Sequence, residues 1–67
     1  MEFSNAPRPI TVLVVDDHPL LRAGIGEAIA NQDDMRLIGE AGNGREAVER
    51  YEALRPDVTI MDIAMPE

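Results

Sequence analysis

Three aspartates close two apolar runs of the sequence. Asp16 and Asp17 follow a stretch of branched apolar residues, and Asp62 ends a second stretch of the same kind. Because ligands of open parallel sheets bind at the carboxyl ends of the strands, these side chains lie where chemistry is expected. The sequence therefore predicts an acidic site formed by Asp16, Asp17 and Asp62.

Carboxylates gathered in this way favour a cation. Three of them within a few ångströms repel one another, so either one takes up a proton or a cation lies among them. At neutral pH we expect the cation, and all-oxygen ligands suit Mg²⁺, which takes one or two carboxylates together with phosphate oxygens. Asp62, alone at its strand end, is the candidate nucleophile for an aspartyl phosphate. Taken singly, Asp17 also fits a helix cap and Asp62 a simple strand end.

Strands and helices alternate along the chain that carries these residues. The run from Ile10 to Val15 shows no polar alternation, which is typical of a strand buried on both faces of a parallel sheet. Pro19 opens an amphipathic helix, and a second helix begins at the capping residue Asn43. The predicted elements are a strand over 10–15, a helix over 19–31, a strand over 35–41, a helix over 43–54 and a strand over 57–62.

The β-α-β-α-β order predicts an α/β fold with parallel strands. Arg36 and Glu40 alternate with apolar residues in the second strand, so we expect that strand at an edge and as the least buried of the three. The first strand then lies in the middle, in the order 2-1-3. Right-handed crossovers place the two helices on opposite faces and bring the three aspartates to one edge.

Composition excludes several classes of function. The 67 residues carry a net charge of -7 with six arginines and no lysine, and the arginines lie among acids as a solvated face, so the chain is expected to repel nucleic-acid phosphates. There is no cysteine for disulfides or thiolate metal sites. No apolar run could span a bilayer or form a signal peptide. We predict a cytoplasmic domain over 10–67, without membrane contact, after a flexible leader over 1–9.

Two other kinds of site fit parts of the pattern. Gly42, Gly44 and Ala47 match the G-x-G-x-x-A fingerprint of a dinucleotide-binding unit, although the charged second strand argues against it. A phosphatase of the haloacid dehalogenase kind would need a second aspartate at the position of His18. We interpret His18 as a solvent-exposed residue at the helix entrance, with a metal ligand or an acid–base group as the alternative.

Three segments together resemble the receiver domain of bacterial two-component response regulators. They read VLVVDDHPLLRAG from Val12 to Gly24, GEAGNGREA from Gly39 to Ala47, and PDVTIMDIAMP from Pro56 to Pro66. The Asp-Asp-His-Pro opening is most similar to the NarL/FixJ type, whose receivers precede a LuxR-type helix-turn-helix DNA-binding domain. The resemblance implies a flavodoxin-like, CheY-like fold with strand order 2-1-3-4-5.

The resemblance also implies a role for each residue of the acidic site. Asp62 matches the phosphoacceptor, Asp17 the direct Mg²⁺ ligand, and Asp16 the acid that holds the metal through water. Ala64 matches the position whose backbone carbonyl completes the metal shell. In this family a sensor histidine kinase supplies the phosphoryl group and the receiver catalyses its own phosphorylation, so we expect no separate enzymatic activity.

The chain departs from the family pattern where it ends, after the third strand. The fourth and fifth strands, and the Thr or Ser and the Lys of a receiver active site, have no counterpart, so we expect the phosphoacceptor half of a receiver. Contact with DNA would need an output domain that this chain lacks. The third strand is an apolar sheet edge, which predicts homo-oligomers through that edge. A truncated, self-associating fragment that cannot be phosphorylated is the alternative.

Overall fold

A three-stranded parallel sheet with two helices forms the described part of the chain, residues 8–62 of a computed structural model. The order β2-β1-β3 confirms the predicted α/β topology. Residues 1–7 of the predicted leader, and Ala64, lie outside the described residues. No helix in the described range is long and apolar enough to cross a membrane. The elements are β1 Ile10–Asp16, α1 Pro19–Ala30, β2 Met35–Ala41, α2 Gly44–Leu54 and β3 Val58–Asp62.

The central strand β1 forms the core, because it is covered on both faces. It is completely buried from Val12 to Asp16. On one face Val14 packs with Ile29 of α1, and on the other Leu13 packs in a cluster with Ala47 of α2. The helices therefore lie on opposite faces of the sheet, as right-handed crossovers require, and the prediction of a strand buried on both sides is confirmed.

The outer strands differ from the prediction that β2 is the least buried. Ala41 of β2 is buried and several of its neighbours are half-buried, whereas no residue of β3 is buried. The reason is that both helices pack over β2 as well as β1, while β3 makes backbone contacts with β1 alone among these elements. β3 is therefore the most exposed strand of the described chain.

The apolar faces of the two helices are only partly covered by the sheet. In α2 Ala47 is buried, but Val48, Tyr51 and Leu54 of the same face are exposed, and Leu21 of α1 is exposed as well. These faces are wider than two strands can cover, because the helices lie over β1 and β2 and leave the β3 side open.

Two local features fix where the helices lie. Asn43 Oδ1 accepts a hydrogen bond from the Glu46 N–H at 2.9 Å, which confirms the predicted cap of α2. The Glu46 carboxylate accepts in turn from the N–H of Gly42 at 2.9 Å, one residue before the position that a capping box uses. Under α1, a Cβ on Gly26 would stand 3.1 Å from Leu37 Cδ2, so glycine permits the close approach of α1 to β2.

Candidate functional site

The carboxyl ends of β1 and β3 bring the predicted aspartates to one edge of the sheet. Asp16 and Asp62 are direct partners in the parallel register, and Asp17 follows in the turn that leads to α1. Asp16 is completely buried, whereas Asp17 and Asp62 are exposed. The edge therefore combines one acid inside the protein with two that solvent reaches.

Asp16 is a buried carboxylate in which only one oxygen accepts a hydrogen bond from the described residues. Its Oδ1 accepts from the backbone N–H of His18 at 2.7 Å, which closes the turn between β1 and α1. Its Oδ2 is buried and has no hydrogen-bond partner within residues 8–62. Burying a charged oxygen without a partner is costly unless a donor or a cation approaches it. This unpaired oxygen is the feature of the edge that points to a ligand.

The His18 side chain contacts both neighbouring carboxylates. Its Nδ1 lies 2.9 Å from Asp17 Oδ1 and 3.4 Å from Asp16 Oδ1. Within the described range, these three side chains form the one group whose possible metal-binding atoms all lie within 4.8 Å of one another. The side chain of His18 is 66% exposed, as predicted for the helix entrance. His18 is the N-cap of α1 and no side chain caps that helix, so the interpretation of Asp17 as a cap is wrong.

The Asp62 carboxylate lies apart from that group. Its backbone is paired with Asp16, yet its oxygens do not join those of Asp16 and Asp17 in a set within 4.8 Å. The structure thus brings the Asp16 and Asp17 side chains together and places Asp62 beside them through the register of the strands. A rotamer change of the exposed Asp62 side chain would be needed for all three carboxylates to meet one ion.

Arg22, which is not among the predicted site residues, ties the ends of β1 and β2 together at this edge. Its Nη1 donates to the backbone oxygen of Asp16 at 2.9 Å and to that of Ala41 at 3.5 Å. Its Nε pairs with Glu40 Oε1 at 3.2 Å, and the side chain is only 24% exposed. The prediction of a solvated arginine face is wrong for this residue. The sequence signal that could have predicted this contact is the position of Arg22, six residues after Asp16 and within the first turns of the next helix.

The two glycines of the dinucleotide fingerprint do not form a phosphate site. The N–H of Gly42 is already bonded to Glu46 Oε1, and Arg22 Nη1 stands 2.9 Å from the point where a Cβ of Gly42 would be. The strand that leads into Gly42 is β2, an edge strand, whereas the fingerprint belongs to a central one. The dinucleotide interpretation is therefore wrong.

A second polar cluster lies at the opposite end of the sheet. Arg8 donates two hydrogen bonds to the Asp57 carboxylate, at 2.9 and 3.1 Å, and Thr11 donates through its N–H at 2.9 Å and its hydroxyl at 3.0 Å. The Arg8 guanidinium, followed by these Thr11 bonds, holds the pKa of Asp57 well below its usual range. The cluster joins the amino ends of β1 and β3, and its role is structural.

Comparisons with known proteins agree with this geometry. Residues 12–67 match the response regulator receiver domain. The chain is 43% identical over 58 residues to the nitrate/nitrite response regulator protein NarL of Escherichia coli K12, covering 87% of this chain and 27% of that protein. It is 51% identical over 55 residues to a protein-glutamate methylesterase/protein-glutamine glutaminase of Syntrophomonas wolfei, covering 82% of this chain and 16% of that protein.

A solved structure extends the match from sequence to fold. The response regulator domain of Thermotoga maritima CheB superposes with a TM-score of 0.83 at 48% identity, over 90% of this chain and 45% of that chain. The chain therefore spans less than a third of these relatives in sequence and less than half of that domain. The predicted NarL/FixJ resemblance is confirmed by NarL and by the response regulator GacA of Pseudomonas viridiflava, which is 46% identical over 57 residues. This chain belongs to the response regulator receiver domain family.

Proposed function

We propose that this chain is the phosphoacceptor part of a two-component response regulator and receives a phosphoryl group on Asp62 from a sensor histidine kinase. The observation that carries the proposal is the buried Asp16 carboxylate, whose Oδ2 lacks a partner within residues 8–62 and whose register partner is Asp62. An unpaired buried oxygen beside an exposed carboxylate suits a site that binds a cation next to a nucleophile. The kinase as donor, and a cytoplasmic location, are inferred from the family.

The donor set at this edge fits Mg²⁺. The ion prefers oxygen ligands and keeps several of its waters, so Asp17 with its exposed oxygen would bind directly and Asp16 would bind through water. A metal-bound water is also the donor that Asp16 Oδ2 needs. The backbone carbonyl of Ala64 is the remaining proposed ligand. Bound Mg²⁺ supplies positive charge that screens these acids from an incoming phosphoryl group.

Asp62 is the proposed nucleophile because a donor protein can reach it. It ends β3, the most exposed strand. One carboxylate oxygen of Asp62 forms a bond to phosphorus while the bond from phosphorus to the kinase histidine nitrogen breaks. No group beyond the two carriers is consumed. That the receiver catalyses the transfer itself is inferred from the family.

The output of the receiver is proposed to be a DNA-binding domain outside this chain. The Asp-Asp-His-Pro opening favours that output through its similarity to the NarL/FixJ type. The 51% identity to a protein-glutamate methylesterase favours a second candidate, an enzymatic output. The mass and sequence of the protein isolated from its source would distinguish them.

The phosphoacceptor proposal is tested with a small phosphodonor. Acetyl phosphate and Mg²⁺ are added to the wild type, to Asp62→Asn and to the control Asp33→Asn, and intact mass spectrometry detects the phosphoryl group. We expect modification of the wild type and the control, and none of Asp62→Asn. Modification that persists in Asp62→Asn would refute the assignment. A folded wild type that is never modified would favour the alternative, a fragment that cannot be phosphorylated.

We further propose that the chain forms homo-oligomers through β3. An open groove of about 360 Å³ lies between α2 and β3 and is lined by apolar residues that include Val48, Tyr51 and Met61. Within residues 8–62, β3 pairs on one side only. Antiparallel pairing of β3 with a second copy would satisfy the free backbone groups of both strands in one continuous sheet. Light scattering at micromolar concentration tests this, and a folded monomer would refute it.

A further inference from the structure

The imidazole of His18 stands where a metal ligand would. Its Nδ1 is 2.9 Å from Asp17 Oδ1 and 3.4 Å from Asp16 Oδ1. Atoms that share one ion at about 2.1 Å are separated by about 3.0 Å at neighbouring octahedral positions and about 3.4 Å at tetrahedral ones. Both distances from His18 Nδ1 therefore match the spacing of one coordination shell, and the third pair of donor atoms lies within 4.8 Å.

A second observation points to a ligand at the Asp16 side chain, through its other oxygen. Asp16 is completely buried, and its Oδ2 has no partner within the described residues. Arg22 is directed to the backbone oxygen of Asp16 and to Glu40. A cation bound between Asp16 and Asp17 would supply the missing partner. The buried, unpaired oxygen of Asp16 distinguishes this group of side chains from an ordinary cluster of acids at the surface.

The donor set also indicates which kind of cation. Carboxylates and water are the ligands that Mg²⁺ prefers, whereas an imidazole nitrogen is a good ligand for Zn²⁺, Ni²⁺ and Cu²⁺. In the Irving–Williams order these three ions stand among those that a mixed nitrogen and oxygen site binds most tightly. Mg²⁺ is not expected to coordinate the imidazole, because Mg²⁺ prefers oxygen ligands. His18 is accessible, with 66% of its side chain exposed, and Asp17 is 35% exposed, so an ion can reach both.

We propose that His18 joins Asp17 and Asp16 as a direct ligand of a divalent first-row transition-metal ion, with Zn²⁺ as the representative, and that this ion competes with Mg²⁺. The proposal rests on the proposed function, since both ions use the same two aspartates. An ion held by His18 and Asp17 occupies the position that Mg²⁺ would take. Transition-metal binding thus blocks the Mg²⁺-dependent state of the receiver.

The single histidine of the sequence makes the test clean. Tag-free protein is titrated separately with ZnCl₂ and MgCl₂ by calorimetry, and the imidazole ¹⁵N shifts of His18 are followed by NMR. We expect Zn²⁺ to bind more tightly than Mg²⁺ and to shift the Nδ1 resonance, while Mg²⁺ leaves that resonance nearly unchanged. Unchanged imidazole shifts at saturating Zn²⁺ would overturn the proposal.

Variants separate the nitrogen ligand from the shared oxygens. His18→Gln should weaken Zn²⁺ binding by at least about tenfold, which is the effect of losing even a residue that only supports a metal ligand. It should leave the Mg²⁺ affinity nearly unchanged, because Mg²⁺ takes oxygen ligands. His18→Ser, which places a preferred N-cap residue at the start of α1, serves as a second variant if His18→Gln fails to fold. Asp17→Asn should weaken both ions, and Asp33→Asn neither.

The outcomes distinguish this proposal from the proposed function. Equal Zn²⁺ affinity in the wild type and in both folded His18 variants would overturn the role of His18, with Mg²⁺ binding and Asp62 phosphorylation unaffected. Zn²⁺ binding that depends on His18, without any Mg²⁺ binding, would support the role of His18 and contradict the Mg²⁺ site. A folded wild type that binds neither ion would overturn both.

Discussion

Replacing Asp16 by asparagine tests directly what the unpaired carboxylate oxygen does. The variant keeps the shape of the side chain and the oxygen that accepts the His18 N–H at 2.7 Å. It removes the negative charge from a side chain that is completely buried. Folding without a cation should then become easier, and binding of a cation should become weaker.

The expected size follows from the surroundings of Asp16. Unit charges 4.8 Å apart, the outer spacing of the Asp16, Asp17 and His18 group, repel by ~3 kcal/mol at an effective dielectric constant of about 20. Solvent screening at Asp17, which is 35% exposed, reduces this to about 1–2 kcal/mol. An unpaired buried amide costs about 1–3 kcal/mol, but the unpaired charged oxygen that it replaces costs at least as much. We therefore expect Asp16→Asn to be more stable by about 1–2 kcal/mol without metal.

At saturating Mg²⁺ the wild type should become more stable than Asp16→Asn. A ligand at about 100 times its Kd stabilises the folded state by ~2.7 kcal/mol, and the wild type should gain far more of this than the variant. Urea unfolding is measured in EDTA and at saturating Mg²⁺, where 1 kcal/mol moves the midpoint by roughly 1 M or less. Asp33→Asn, an exposed change with the same loss of charge, is the control. A variant less stable than the wild type in EDTA, or one with an undiminished gain from Mg²⁺, would refute the reasoning.

Three further predictions concern stability. Leu13→Ala, at a fully buried position, should lower the free energy of unfolding by about 2–5 kcal/mol. Leu20→Ala, at 88% exposure, should change it by no more than about 0.5 kcal/mol. Equal shifts of the two variants in thermal unfolding would contradict the described core. Asn43→Ala should cost about 1 kcal/mol through the loss of the α2 cap, while Asn43→Ser retains most of it. The lowered pKa of Asp57 means that its stabilisation is full above its ordinary value of 3.8 and is lost as the pH falls below that value. Asp57→Asn should therefore be destabilised at neutral pH, and its difference from the wild type should shrink steadily as the pH falls below 3.8, as acid titrations of unfolding would establish.

The topology was predictable because one pattern decides it. The unbroken apolar run of β1 requires cover on both faces, and only the middle of a parallel sheet with helices on both sides supplies it. The charges at Arg36 and Glu40 then exclude β2 from the centre. Asp16, Asp17 and the end of β3 follow at one edge, because parallel strands end on the same side.

The missed features depend on contacts that no local pattern encodes. Periodicity identifies an apolar helix face, but it does not state how much of that face a neighbouring element covers, and Val48 of α2 lies in solvent. Rotamers decide whether neighbouring carboxylates meet, so the position of Asp62 outside the close group could not be foreseen. Arg22 depends on two backbone oxygens from different strands, which become neighbours only in the folded sheet.

The Asp16 carboxylate serves the fold with one oxygen and the site with the other. Oδ1 closes the turn that starts α1, and the unpaired Oδ2 stands at the acidic edge. A substitution that removes both oxygens, such as Asp16→Ala, therefore disturbs the helix entrance and the site together, and loss of metal binding in that variant would not identify a ligand. Asp17→Asn changes the site alone, since Asp17 takes no part in the α1 cap. Asp16→Asn keeps the turn hydrogen bond and Asp16→Ala removes it, so a comparison of these two variants without metal measures the turn, and Asp17→Asn measures the binding of the cation.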